Sequence, residues 1–437
     1  MTLDVSKERT RNYLYQIKGA VVYKAASMLA SFLAIPMMIR YLGQEQFGVW
    51  STLLTVMSWI VLFDLGVGNG LRNKVAEALA RNDKTQAANY IASGYSLIGL
   101  ISLLLWTVST IAAFFVPWQT VFNTQIISET TLCITVQVVI FFIVLNFWVG
   151  LISPILGAVQ KTAITALGQL ISNVLALCFV YLLTETTDAT LTYLALAYGF
   201  SLVIANITLT LWFYKSQPEL RPKPYLEIQH ISPLLAVGLQ FFTIQIAVLV
   251  IFTTDKILIT QLFGPEYVTQ YDVVFKLLSI ITFVHSLISA PLWSAYTDAY
   301  HRNDMRWIRR MLNKQLAIFV GIIVATFVMC YFIKQLILMW IGEELNISQP
   351  LIFSLGVFVL VSTWNNIYAM IVNGIGEISL QLHTSFIAML INIPLAILFV
   401  KYFDMGLSGV VLATVVSLSL AAVVLPIQVH RIIRAST

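Results

Sequence analysis

Unbroken apolar runs, rather than the alternation of a half-buried strand, set the pattern of this chain. The stretch 97–115 holds no charged residue at all. A helix needs about 20 apolar residues to cross a hydrocarbon layer ~30 Å thick. Windows of that length predict twelve spans, near 13–39, 47–71, 91–116, 129–157, 163–183, 190–214, 233–261, 269–298, 311–339, 350–373, 380–402 and 406–429. A membrane barrel would instead show alternating segments of ~10 residues. The segment 73–90 reads as a short amphipathic helix on the cytoplasmic face.

The polar punctuation between the runs sets their orientation. Lys7, Arg9, Arg11 and Lys18 share a side with Arg72, Lys74, Arg81, Lys84 and Lys161. The same side takes Lys215, Arg221 and Lys223, then Arg302, Arg306, Arg309, Arg310 and Lys314, and finally Arg431 and Arg434. That is nineteen of the 25 Lys and Arg. The opposite loops hold little beyond Arg40 and Lys401, with Lys334 nearby. Cytoplasmic loops carry such an excess, so both termini are expected in the cytoplasm. The first apolar stretch runs too long, and carries Lys18 and Lys24, to be a cleavable signal peptide.

Composition narrows the class. Hydrophobic residues make up 59% of the 437 and charged residues 10%, where a soluble domain carries about 25% charged. An ordinary soluble enzyme, a disordered chain and a disulfide scaffold are excluded. The net charge of +5 is no nucleic-acid signal, because the cations alternate between loops instead of forming one patch. Cys133, Cys178 and Cys330 lie inside apolar runs and read as free thiols. No Walker motif, metal-ligand cluster or nucleophile constellation is visible. No catalytic residue, metal or cofactor is therefore expected.

A repeat divides the chain. At an offset of 221 residues, Gly43-Gln44-Glu45 falls on Gly264-Pro265-Glu266, Trp50 on Tyr271, and Arg81-Asn82-Asp83 on Arg302-Asn303-Asp304. The segment 215–232, with Pro218, Pro222 and Pro224, then separates a lobe at 1–214 from a lobe at 233–437. The fold class is an all-α integral membrane protein of twelve transmembrane helices in two pseudo-symmetric six-helix lobes.

The same residues carry a resemblance. Tyr41-Leu-Gly-Gln-Glu-Gln-Phe-Gly-Val-Trp50, followed by Phe63-Asp-Leu-Gly-Val-Gly-Asn-Gly-Leu71, looks like the start of the Wzx-type polysaccharide flippases. Asp255-Lys-Ile-Leu-Ile-Thr-Gln-Leu-Phe-Gly264 with Tyr271 is similar to the start of their second half. Those flippases belong to the MOP superfamily, with the MATE drug exporters and the peptidoglycan lipid flippases. The resemblance implies a V-shaped, two-lobed bundle around a central cavity that works by alternating access in a bacterial inner membrane. It implies a polyprenyl-pyrophosphate-linked oligosaccharide as cargo, such as an O-antigen repeat unit. Expected partners are that cargo, membrane lipid and other polysaccharide assembly proteins, and no nucleic acid.

Candidate site residues are the polar groups that sit at a cost inside apolar spans. A charge at the bilayer centre costs ~2.5–3.5 kcal/mol on insertion scales, so it tends to face a wet cavity or a partner. Lys24 has Ser27 and Ser31 at helical spacing beside it and suits a pyrophosphate, or else snorkels to headgroups. Arg72 contacts phosphate or merely ends a helix. Lys256 and Lys276 are further candidate cargo contacts. Asp272 and Lys276, spaced i, i+4, are expected to pair. Asp255 and Lys256 point about 100° apart and so face different partners. Asp64, Asp255 and Asp272 are the candidate ion-coupling carboxylates. Gln169 and Asn173, and Asn365 on another span, belong to polar stripes that bind sugar hydroxyls or join helices. Trp148 and Trp364 are candidate sugar platforms or belt residues.

Two functions fit this set. A lipid-linked oligosaccharide flippase, coupled to an ion gradient, wants cations and sugar-binding amides. A MATE-like drug or cation antiporter wants carboxylates as the main charge of its cavity. The lysines lean toward the anionic cargo.

Overall fold

Apolar runs in lipid fold as helices because a helix satisfies every backbone N–H and C=O within the segment. A computed structural model describes residues 2–59, 67–222, 246, 253–289, 292–301 and 303–435, and the described residues include no strand. The chain divides into two compact units, Met1–Ile246 and Ala247–Thr437.

In the first unit, α1 runs over Thr2–Ser58 with one non-helical residue, Gly43, at φ 77° and ψ 169°. That left-handed φ is open to glycine at no steric cost. It separates the expected first span from the second, whose later part, with Asp64, lies outside the described residues. There follow α2 (Val67–Ala80), α3 (Lys84–Ala113), the short α4 (Trp118–Val121), α5 (Glu129–Val149), α6 (Ile152–Ala158), α7 (Thr162–Thr186) and α8 (Leu191–Ser216). Helix α1 packs on α7, α5 on α3 and α8, and α7 on α8. Glycines set the closest approaches. A Cβ at Gly199 of α8 would lie 2.1 Å from the Phe142 ring of α5. Gly199→Ala is therefore expected to destabilise this unit by ~1–3 kcal/mol, the usual cost of overpacking. A lowered midpoint of thermal unfolding in detergent checks it; an unchanged midpoint contradicts it.

The second unit holds α9 (Pro265–Ser289), α10 (Leu292–His301), α11 (Met305–Ile341), α12 (Gln349–Ile375), α13 (Ser379–Lys401) and α14 (Gly406–Ala435). Of the expected seventh span, residues 246 and 253–261 are described and helical, the last helix running on to 262. Helices α12 and α13 both pack on α14, and α10 packs on α12. Ten helical stretches, among the described residues, are long and apolar enough to cross a membrane. The protein is a multi-pass membrane protein.

The repeat read from short matches has a common local geometry. Gly43 and Gly264 both have positive φ, and so do Asn82 and Asn303, at 58° and 57°. Asp83 accepts the Gln86 N–H at 2.8 Å and starts α3. Asp304 accepts the Trp307 N–H at 3.0 Å and starts α11. A left-handed Asn followed by an Asp N-cap ends one helix and opens the next. The buried cores match at the same offset: Val75, Ala78, Ala87 and Ile91 in one unit, Tyr296, Ala299, Ile308 and Leu312 in the other. This turn also corrects the expected single helix over 73–90, which is instead the end of α2, a turn and the start of α3. On the exposed face of α2, Lys74 bonds Glu77 at 2.9 Å and, with Arg81 nearby, holds its carboxyl below the usual carboxylate range.

Candidate functional site

Three of the expected cargo contacts meet in one cavity inside the first unit. Its volume is about 760 Å³, within the ordinary range for ligand sites. Lys24 comes from α1, Arg72 from α2 and Gln169 from α7, joined by Asn146 of α5, Ser153 of α6, Thr165 of α7 and Asn206 of α8. Both cations are exposed toward this space. No carboxylate stands among the described lining residues.

The wall is braced by amides. Asn206 Nδ2 donates to Asn146 Oδ1 at 2.7 Å, tying α8 to α5. Gln169 Nε2 donates to Asn173 Oδ1 at 3.0 Å, and Asn173 Nδ2 donates to both the backbone and the hydroxyl oxygen of Ser27, at 3.0 and 2.8 Å. Ser27 is three residues past Lys24 on α1. Asn173 thus stands behind Gln169 as a brace between α7 and α1, not in the cavity wall. Arg72 is held differently. A Cβ at Gly157 of α6 would lie 3.0 Å from its Nε and 3.4 Å from its Cζ. The arginine end therefore packs close against the bare Gly157 backbone. Gly157→Ala is expected to keep the fold, since the arginine end can yield, but to shift the guanidinium by a few tenths of an ångström. A 1 Å misplacement can cost ~100-fold in rate, so transport should fall by about three- to tenfold. An unchanged transport rate in Gly157→Ala contradicts this account of Arg72.

The carboxylates gather in the second unit. Asp255 is 4% exposed. Its Oδ1 accepts the Thr414 hydroxyl at 2.8 Å, and its Oδ2 accepts the Tyr271 hydroxyl at 3.5 Å. Thr414 in turn accepts from Asn392 Nδ2 at 2.9 Å, and Asn392 Oδ1 accepts the Thr254 hydroxyl at 3.2 Å. A fully buried carboxylate is thus surrounded by neutral hydroxyl and amide groups from 253–262, α9, α13 and α14.

The adjacent Lys256 faces elsewhere, as two neighbours on a helix must. Its Nζ lies 2.7 Å from Asp272 Oδ1. Asp272 thus pairs with Lys256 of the neighbouring helix, and its charge also acts on Lys276, the partner expected from the i, i+4 spacing. Lys256, Lys276 and Asp272 all lie in the second unit. Asn365 of α12 spends its N–H on the Leu418 carbonyl of α14 at 3.1 Å, which joins helices. Trp148 and Trp364 likewise use their indole N–H groups on the carbonyls of Tyr95 and Ala422. Among the described residues, no group of three or more His, Cys, Asp or Glu is placed to hold a metal.

Sequence reading missed Asn146, Asn206, Asn392 and Thr414. Each is a polar residue within an apolar span, and only helix packing brings Asn146 to Asn206 in the first unit and Asn392 to Thr414 in the second. The signal available was the cost of placing a bare amide in a span at all, which demands a partner.

The sequence profile of the family described as polysaccharide biosynthesis protein matches residues 19–297, and that of MatE matches 241–398. A protein named as an O-antigen transporter in Salmonella typhimurium (strain LT2) is 21% identical over 407 residues, covering 89% of each chain. One named as an O-antigen export protein in Yersinia pseudotuberculosis is 21% identical over 362 residues, covering 81% of this chain and 82% of its own. Among solved structures, the inward-facing conformation of a multidrug resistance MATE family transporter of the MOP superfamily has a TM-score of 0.79 at 16% identity. It covers 95% of this chain and 98% of that one, a likeness of fold.

Proposed function

Since this chain belongs to the polysaccharide biosynthesis protein family and has the MATE transporter fold, we propose that it is a flippase for a polyprenyl-pyrophosphate-linked oligosaccharide. The cargo is an O-antigen or other surface polysaccharide repeat unit, taken from the cytoplasmic to the periplasmic leaflet of a bacterial inner membrane. The loop charges support cytoplasmic termini. The relatives named for O-antigen transport and export support the cargo class.

The observation that carries the reading is the charge of the first unit's cavity. Lys24 and Arg72 stand there with amides and hydroxyls and with no described carboxylate. Arg offers a planar fork of donors to phosphate oxygens, and Lys a compact charge that binds without fixing direction. Asn146, Gln169, Thr165 and Ser153 supply the neutral donors and acceptors that sugar hydroxyls need. No step in this list makes or breaks a covalent bond; the site binds, turns and releases.

Coupling is proposed at Asp255. A proton or a small hard cation suits a buried carboxylate that the Thr414 and Tyr271 hydroxyls touch, with Asn392 and Thr254 continuing the polar chain behind Thr414. Binding and release of that ion would bias the two states between which the cargo site alternates.

A drug or cation antiporter is the second reading, favoured by the MatE match over 241–398. A cationic drug, however, would meet two like charges in the cavity. Liposomes with the purified protein separate the two. The flippase reading expects translocation of a fluorescent polyprenyl-pyrophosphate sugar and no uptake of a cationic dye. Dye exchange without lipid translocation would replace it with the antiporter.

A further inference from the structure

The first unit has a second concavity that the cationic cavity does not use. It measures about 500 Å³ and lies between α3 and α5, lined by Tyr95, Gly99, Ser102, Trp106, Phe141 and Trp148 among others. No charged residue lines it. The two helices that form this groove also reach the cavity. Ile98, Asn146 and Phe147 line the cavity, while their chain neighbours Gly99, Leu145 and Trp148 line the groove. At α3 and α5, consecutive residues therefore line an apolar aromatic groove and an adjoining amide-bearing cavity whose cations come from α1 and α2.

The groove is a fixed shape, not a chance unevenness of a lipid-facing surface. One aromatic pair closes each end. Tyr95 of α3 meets Trp148 of α5 edge-on at 6.4 Å, and Trp106 of α3 meets Phe141 of α5 edge-on at 6.2 Å. Trp148 is locked by its N–H bond to the Tyr95 carbonyl at 3.1 Å. A Cβ at Gly99 would lie 3.3 Å from the Trp148 indole nitrogen, so the missing side chain makes the notch in which that ring rests. The Ser102 hydroxyl, 7% exposed as a residue, has no hydrogen-bond partner among the described residues. Trp106, Phe141 and Trp148 remain 40–45% exposed. From Tyr95 to Trp106 the groove follows α3 for ~16 Å, about half of a hydrocarbon layer ~30 Å thick.

We infer that this groove seats the polyprenyl chain of the cargo while its pyrophosphate and sugars occupy the adjoining cavity. The inference rests on the flippase reading and adds where the lipid half of the cargo binds. An amphiphile with an anionic head and an uncharged tail needs two adjoining sites of those two characters, and the cavity and the groove supply them. A polyprenyl chain also differs from the surrounding acyl chains in its regular double bonds. Their π-density gives a buried unpartnered hydroxyl a weak acceptor that a saturated chain lacks.

The test uses the full chain in nanodiscs of phosphatidylethanolamine and phosphatidylglycerol, so that acyl chains compete throughout. Binding of a long-chain polyprenyl diphosphate is compared with that of geranyl diphosphate. The wild type is expected to favour the long chain. Gly99→Leu, which fills the notch, and Trp106→Ala, which opens the far end at an exposed ring, should each reduce that preference by about tenfold. Binding of geranyl diphosphate should not change in either. A preference for the long chain that survives in both variants overturns the groove and leaves the flippase reading standing. If the wild type binds neither diphosphate, the cargo reading fails and takes the groove with it.

Discussion

Replacing Lys24 and Arg72 together with alanine is expected to stop translocation while the folded protein still reaches the membrane. The two side chains come from α1 and α2 and line one cavity. Hydrogen bonds to a charged group contribute ~1.5–3 kcal/mol each, so each loss should cost about 10- to 100-fold in cargo affinity or rate. Both side chains are exposed toward the cavity, and exposed substitutions usually change stability by about 0.5 kcal/mol or less. The loss should therefore appear in transport and not in the amount of protein. Lys24→Arg should keep part of the activity, because charge survives while geometry changes. Lys24→Glu should be worse than Lys24→Ala, since it repels the pyrophosphate. Transport at the wild-type rate in the double alanine variant, at equal protein level, contradicts a cationic cargo site.

The second large effect is expected at Asp255. Asp255→Asn removes the charge, keeps one oxygen to accept from Thr414, and turns the other position into an amide N–H that can donate to the Tyr271 hydroxyl. Downhill exchange of cargo between leaflets should continue, and its response to an imposed ion gradient should vanish. One charge moved through 100 mV corresponds to ~2.3 kcal/mol, or about a 50-fold accumulation ratio. That is the size of the effect to look for in liposomes with and without a gradient. Thr414→Val should give a weaker form of the same defect, because it takes one donor from the carboxylate. A gradient response that is intact in Asp255→Asn removes this residue from coupling. Asp272→Asn is the useful contrast: it breaks the ion pair with Lys256 and should act on stability first.

Much of the fold could be read from the chain because lipid leaves few options. Apolar length alone separates helical spans from barrel strands, and loop cations alternate only if the spans are counted correctly. The repeat was readable for a sharper reason. Gly43 and Gly264, and Asn82-Asp83 and Asn303-Asp304, are residues chosen for special backbone geometry, so they persist as tripeptide matches where the apolar spans between them do not. The end of α2 was misread because amphipathic spacing continues across 81–83, and only the left-handed Asn82 stops the helix.

The candidate site was legible in its charges and not in its neutral partners. Lys24 and Arg72 were visible as cations within or beside apolar runs, and Gln169 through its stripe. Asn173 and Asn365 looked the same from their spacing, yet each spends its N–H groups on joining helices. Helical period tells which face a residue shares, not whether that face meets a cavity or another helix. Asp272 shows the same limit. A carboxylate four residues from a lysine invites a local pair, and the spacing gives no sign that Lys256 of the neighbouring span joins it at 2.7 Å.

The leaflet in which polyprenyl-linked sugars reside tests the central claim most directly. It is measured in a deletion strain of the source bacterium, with and without a plasmid copy of the gene. The account predicts complete repeat units held on the cytoplasmic side, released when the plasmid is present and still held when it carries the Lys24 and Arg72 double alanine variant. An unchanged leaflet distribution in the deletion strain, with normal surface polysaccharide, would contradict it.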